Sequence, residues 1–228
     1  MTTISKILAP AGLAIAALAA ATPAAAQVQG KIATADVSRA VISTTALQTA
    51  YNQVNTTYAP QMETRKTKQE QLANLLKPFD TNANGNLEEG ELPALQKSPN
   101  FTQIQTLESE VASLNMQMNN ARIYAVEQIL VQYPTVLQEV ATKEQVAVVL
   151  QPEAIQWAGQ AADITPKITA ALNTKVPSVQ IVPPADYRPS QQGAQVFQEI
   201  QQYLIVAQLR QQQQAQQQPG NQQAPQGR

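Results

Sequence analysis

A compact run of oxygen-bearing side chains, Asp80-Thr81-Asn82-Ala83-Asn84-Gly85-Asn86-Leu87-Glu88-Glu89-Gly90-Glu91, carries the clearest chemistry in the sequence. Its spacing, D-x-[DN]-x-[DN]-G-x5-E, is that of a calcium-binding loop. Calcium takes about six to eight hard oxygens. Asp80, Asn82 and Asn84 would present side-chain oxygens at loop positions one, three and five. Gly85 would permit the sharp turn, and Asn86 would offer its backbone carbonyl. Glu88 would act through a water, and Glu91 would close the site with both carboxylate oxygens. Leu87 is placed to pack beneath the loop. With Asn at positions three and five the charge is low, so the expected affinity is weak, on the order of 10⁻⁴ to 10⁻³ M. The competing reading is a polar Asn/Gly-rich turn that closes a hairpin. Pro78 and Pro93 interrupt the helices that usually bracket such a loop.

Little other chemistry is open to this chain. It contains no Cys and no His, which removes disulfides, thiol nucleophiles, imidazole bases and most transition-metal sites. No nucleophile-elbow glycine pattern, phosphate-cradling loop or Ser-x-x-Lys motif occurs, so an enzyme is not expected. With 15 basic and 16 acidic residues the chain is nearly neutral, and no bulk charge recruits nucleic acid or anionic lipid.

The elements that must position the loop are helical. From Thr44 to Lys77 the apolar positions Leu47, Tyr51, Val54, Tyr58, Met62, Leu72 and Leu76 fall at steps of three and four or their sums, with a kink expected at Pro60. From Phe101 to Thr142 the stripe Ile104, Leu107, Val111, Leu114, Met118 and Ala121 is a coiled-coil seam. It broadens at Val126, Ile129, Leu130, Tyr133, Leu137 and Val140, and Pro134 marks a bend. The predicted fold class is therefore mainly α with a small β body. Residues 44–143 form a long antiparallel α-helical hairpin with the loop, residues 80–91, at its tip. Each arm reaches roughly 50 Å at 1.5 Å per residue. An ordinary coiled-coil spacer gives the same stripe.

Lys31–Val37 and Gln145–Leu150 read as strands that pair across the hairpin and so belong to a body of residues 27–43 and 144–176. Asp163 can cap a helix from Ile164 to about Asn173. Residues 177–210 read as a Pro-rich linker, with Pro177, Pro183, Pro184 and Pro189, followed by an extra helix from Gly193 to Arg210. Residues 211–228 read as a disordered Gln-rich tail. At the other end, Lys6, the apolar Ile7–Ala21 and the small Ala24 and Ala26 predict a signal peptide, residues 1–26, cleaved after Ala26. No later stretch approaches the roughly 20 apolar residues that cross a bilayer, so integral membrane insertion is not expected.

Lys31-Ile32-Ala33-Thr34-Ala35-Asp36-Val37-Ser38-Arg39-Ala40-Val41 resembles the opening strand and turn of the Skp/OmpH-like periplasmic chaperone family. The closing segment resembles it too, in Gln145–Leu150, Ala154-Ile155, Trp157, Asp163-Ile164-Thr165, Ile168 and Leu172-Asn173. The similarity spans about residues 31–175, with an EF-hand-like loop inserted at the hairpin tip. It implies a homotrimer whose short strands form a trimerisation body and whose hairpins project as tentacles around a cavity. It further implies an ATP-independent holdase that binds unfolded outer-membrane proteins in the periplasm and prevents their aggregation. The hairpin faces carrying Tyr51, Tyr58, Met62, Met116, Met118 and Tyr124 are then candidates for client contact, though each also reads as seam packing. The nearly neutral charge and acidic tip depart from the basic tips of that family. The alternative is a calcium-binding envelope adaptor or a coiled-coil structural protein without chaperone activity.

Overall fold

Two short apolar runs, separated by the whole hairpin, meet as a parallel pair: β1 (Lys31–Thr34) and β2 (Val146–Leu150). Parallel strands need a long crossover, and here the hairpin supplies it. Ile32 pairs with Val148, Ala33 with Val149 and Thr34 with Leu150, after an irregularity between Lys31 and Ile32. The structure is a computed structural model that describes residues 30–217. The expected signal segment and residues 218–228 of the expected tail lie outside the described residues.

After β1 the chain enters α1 (Val37–Ile42), which is capped by Asp36: its Oδ1 accepts the Arg39 N–H at 2.9 Å. The rising arm is α2 (Thr45–Thr57) followed by α3 (Ala59–Leu76). The expected kink at Pro60 is a full break. Tyr58 leaves helical geometry, with ψ of 15°, and Pro60 falls in the first turn of α3, where its missing N–H has no helical partner to lose. Beyond the tip loop, α4 (Leu92–Gln96) leads into the falling arm, α5 (Phe101–Leu130) and α6 (Tyr133–Lys143). Pro134 occupies the first turn of α6 in the same way. The 30 residues of α5 make a rod about 45 Å long.

The hairpin is thin. Near its base, Val54 and Tyr58 pack against Met118 and Ala121 in a small buried cluster. Further out, α3 buries no residue at all. There the arms are tied by polar contacts, Arg65 Nη1 to Asn115 Oδ1 at 2.9 Å and Lys68 Nζ to Glu110 Oε2 at 2.7 Å, and the opposite arm buries Ile104 and Leu107 of α5 with Leu95 of α4.

The body core joins Ala33, Val41, Leu47, Ile129 and Val136 to Ile164, Ile168 and Leu172, the last two from α7 (Thr165–Lys175). Asp163 serves this helix one residue away from the expected cap. Its Oδ1 accepts the Thr165 N–H at 3.0 Å, while Oδ2 pairs with Arg39 at 2.6 Å. Val196 and Ile200 of α8 (Gln191–Gln217) enter the same core. This helix runs past the boundary expected at Arg210, so residues 211–217 are helical and not a disordered tail. Gln and Ala are good helix formers, and no Pro or Gly interrupts the segment before Pro219. Beyond the core α8 carries exposed Leu204, Ile205 and Leu209.

Candidate functional site

The tip loop is built from its own amides. Asp80, just past the end of α3, accepts the Asn84 N–H on Oδ1 at 3.1 Å and the Gly85 N–H on Oδ2 at 2.7 Å. Asn82 Oδ1 accepts the same Asn84 N–H at 3.0 Å, and Asn84 Oδ1 accepts from Asn86 N–H at 2.8 Å. The turn is made by two left-handed residues, Ala83 with φ of 55° and Gly85 with φ of 80°; glycine takes this conformation without steric cost.

Glu91 folds back across the loop. Its Oε1 accepts both the N–H and the hydroxyl of Thr81 at 2.6 Å, and its Oε2 accepts the Glu88 N–H at 3.1 Å. These donors, the Thr81 hydroxyl first, hold its carboxyl below the ordinary glutamate range. The side chain is 9% exposed, whereas Asp80 and Glu88 lie nearer to solvent. Glu88 Oε1 accepts from Asn84 Nδ2 at 2.9 Å. Asn86 contributes its backbone N–H to this network, and its side-chain Nδ2 reaches Asn84 O at 3.5 Å. Hydrogen bonding thus joins all of the sequence-predicted ligands into one loop. An ionised carboxylate has about four lone-pair sites, so Asp80 keeps one on each oxygen, whereas Glu91 keeps one on Oε2 alone and would have to release Thr81 to close a metal site with both oxygens as expected. The oxygens are hard, as calcium requires. Among the described residues no three Asp or Glu side chains gather as a metal-holding group. Any cation here would therefore depend on the amide oxygens of Asn82 and Asn84.

The candidate client-contact residues lie on the hairpin near its base. Tyr58 and Met118 are buried in the small cluster, at 6% and 3% exposure. Tyr51, Met62 and Tyr124 are half-buried, and Met116 is exposed. The segment between α7 and α8, read from sequence as a linker, is laid along this base. Ile181 packs against the Val54, Tyr58, Met118 and Ala121 cluster. Tyr187 meets Tyr124 edge to face, with ring centroids 5.1 Å apart.

Two adjacent polar residues of α5 fix the segment. Gln128 receives the Gln180 N–H on Oε1 at 3.0 Å and donates from Nε2 to Gln180 O at 2.9 Å. Glu127 takes the Tyr187 hydroxyl on Oε2 at 2.7 Å, and its Oε1 takes the Ser190 N–H at 2.7 Å and hydroxyl at 2.6 Å. Burial, reinforced by that carboxylate, pushes the Tyr187 phenol well above its usual range. Gly193 lies so close that a Cβ there would stand 2.5 Å from Glu127 Cγ, which explains a glycine in the first turn of α8. None of these residues emerges from motif reading. The available signal was the polar Glu127-Gln128 pair between apolar Val126 and Ile129.

The fold and these two sites define a body-and-hairpin protein, with a wet antiparallel α-hairpin rising from a small parallel β pair. The chain belongs to the family of OmpH-like outer membrane proteins, whose family model matches residues 31–172. Among solved structures it is similar to a Caulobacter crescentus protein described as an outer membrane chaperone (OmpH-like), at 17% identity and a TM-score of 0.40. That match covers 66% of this chain and 88% of the other. No curated protein matches the chain. No helix among the described residues is long and apolar enough to cross a membrane.

Proposed function

We propose that this chain is an ATP-independent holdase of the periplasm that binds unfolded outer-membrane proteins and prevents their aggregation, without a catalytic step. Membership of the OmpH-like family over residues 31–172 supports the reading. The observation that carries it is the thinness of the hairpin. Apart from the narrow seam of Leu95, Ile104 and Leu107, the outer hairpin is open to solvent, and the side chains of α3, none of them fully buried, stay available for many weak contacts. Weak contacts add up when several act on one chain. Three copies arranged around a common space would supply that multiplicity, which is why the proposal includes a homotrimer. It also includes calcium held at the tip by Asp80, Asn82, Asn84, Glu88 and Glu91 with the Asn86 carbonyl. A bound cation would offset the acidic charge of the loop and stiffen it.

The test is dilution of a urea-unfolded outer-membrane β-barrel protein into buffer, followed by light scattering, with this protein present or absent and with calcium or chelator. Suppression near a stoichiometric ratio, with no nucleotide, is the expected result. Unchanged scattering would favour the calcium-binding adaptor or coiled-coil structural role instead.

A further inference from the structure

The segment 177–190 is bound to the hairpin as a peptide is bound to a receptor. It is extended, and along Val179 to Pro184 half-buried and exposed residues alternate: Val179, Ile181 and Pro183 are half-buried, while Gln180, Val182 and Pro184 are exposed. That is the period of a β-strand lying on a surface. Its main chain is read without regard to sequence, because the Gln128 carboxamide satisfies both the N–H and the C=O of Gln180. The aliphatic side chain of Ile181 packs against the apolar cluster of Val54, Tyr58, Met118 and Ala121, and with Val179 it also touches the body core. One aromatic ring, Tyr187, meets Tyr124 edge to face. Of its other main-chain groups, Tyr187 N–H bonds internally to Pro184 O at 3.1 Å and Ser190 N–H donates to Glu127 Oε1 at 2.7 Å, while Pro183, Pro184 and Pro189 carry no donor at all. The attachment therefore rests on separable side-chain contacts, those of Val179 and Ile181 with the core and of Tyr187 and Ser190 with Glu127, between two flanking helices that are anchored in the body core.

We propose that this face of α5, with its neighbouring apolar pocket, is a binding site for an extended polypeptide whose aliphatic side chains recur at alternate positions, and that residues 177–190 occupy it in cis as a displaceable mimic. Alternating apolar side chains are the signature of an unfolded membrane β-strand, so the partner follows from the holdase reading on which this inference rests. A tethered occupant acts at an effective concentration on the order of millimolar. Only chains that bind several such faces together, or that bind more tightly, displace it. Weak single ligands are excluded.

The experiment uses the full chain and a fluorescein-labelled synthetic copy of residues 177–190, read by fluorescence anisotropy. Ile181→Asp removes the anchor, and Ile181→Ala does so without introducing charge should the first variant fold poorly by circular dichroism. Hydrogen exchange at the Gln180 amide reports whether the cis segment has left. The expected result is faster exchange together with affinity for the labelled peptide raised about tenfold or more over wild type. Adding Gln128→Ala to the same background should abolish the gain. Affinity that stays at the wild-type level when exchange shows the segment released overturns the proposal, as does a Gln180 amide that remains protected in both variants. Peptide binding involves no client aggregation, so a failed light-scattering assay beside a successful peptide titration would sink the holdase reading and leave this site standing.

Discussion

Glu91 shows how much a single side chain at the tip can decide. It ties the second and ninth positions of the loop together, through Thr81 and Glu88, and it is the most buried acid in the segment. Replacing it by Gln keeps the shape but removes the charge and one of the two equivalent oxygens. Isothermal titration of the wild-type chain is expected to show calcium binding near millimolar metal. Glu91→Gln and Asp80→Ala should each weaken it at least tenfold. A wild-type titration without calcium-dependent heat at millimolar metal excludes the site. The spacing alone was enough to place Asp80, Asn82, Asn84, Asn86, Glu88 and Glu91 in one hydrogen-bonded loop, because such a turn is local in sequence. The Thr81 contact to Glu91 was not legible, since position two of the pattern is unconstrained. Arg39 and Asp163 were illegible for another reason, being partners brought together only by the fold.

At the scale of elements, the arms were readable because helical periodicity and proline are local signals. Pro60 and Pro134 each mark a helix start, and a first-turn proline explains why one helix ends and another begins there. The strands β1 and β2 were readable as elements and as partners, though β1 ends at Thr34, and Asp36 and Val37, read as strand, cap and open α1. The C-terminal extended segment and helix were readable as elements too, but their docking on the body was not. An extended segment carries little periodicity beyond a few residues, and nothing in the sequence says which surface it lies on. The consequence for α8 can be measured. Ile200 is fully buried in the body core, so Ile200→Ala is expected to cost about 2–5 kcal/mol of unfolding free energy, seen as a lower urea midpoint at unchanged slope. A loss under about 0.5 kcal/mol would mean that α8 does not contribute to the folded body. The family-matched span ends at residue 172, so the expected cost also says that this chain has come to depend on a helix outside it.

For the whole molecule, the exposed apolar groups of the body matter most. A two-stranded sheet is marginal by itself, and Ile32 on β1 and Trp157 beyond β2 stand 59% and 85% exposed. A trimer would cover such groups between copies. Sedimentation equilibrium is expected to give a mass near three chains, and Trp157 emission should shift to the red on dilution as the copies separate. A monomer at tens of micromolar would refute the assembly. The parallel pairing of β1 with β2 also bears on how fast the chain can fold. Bringing Lys31 to Val146 directly means closing nearly the whole hairpin as one loop, whereas the turn at Asp80 to Glu91 closes over a short span and lets the two arms zip downward from it. Loop closure alone thus predicts that folding starts at the tip, and that the sheet, first in the sequence to begin, is among the last pieces to form.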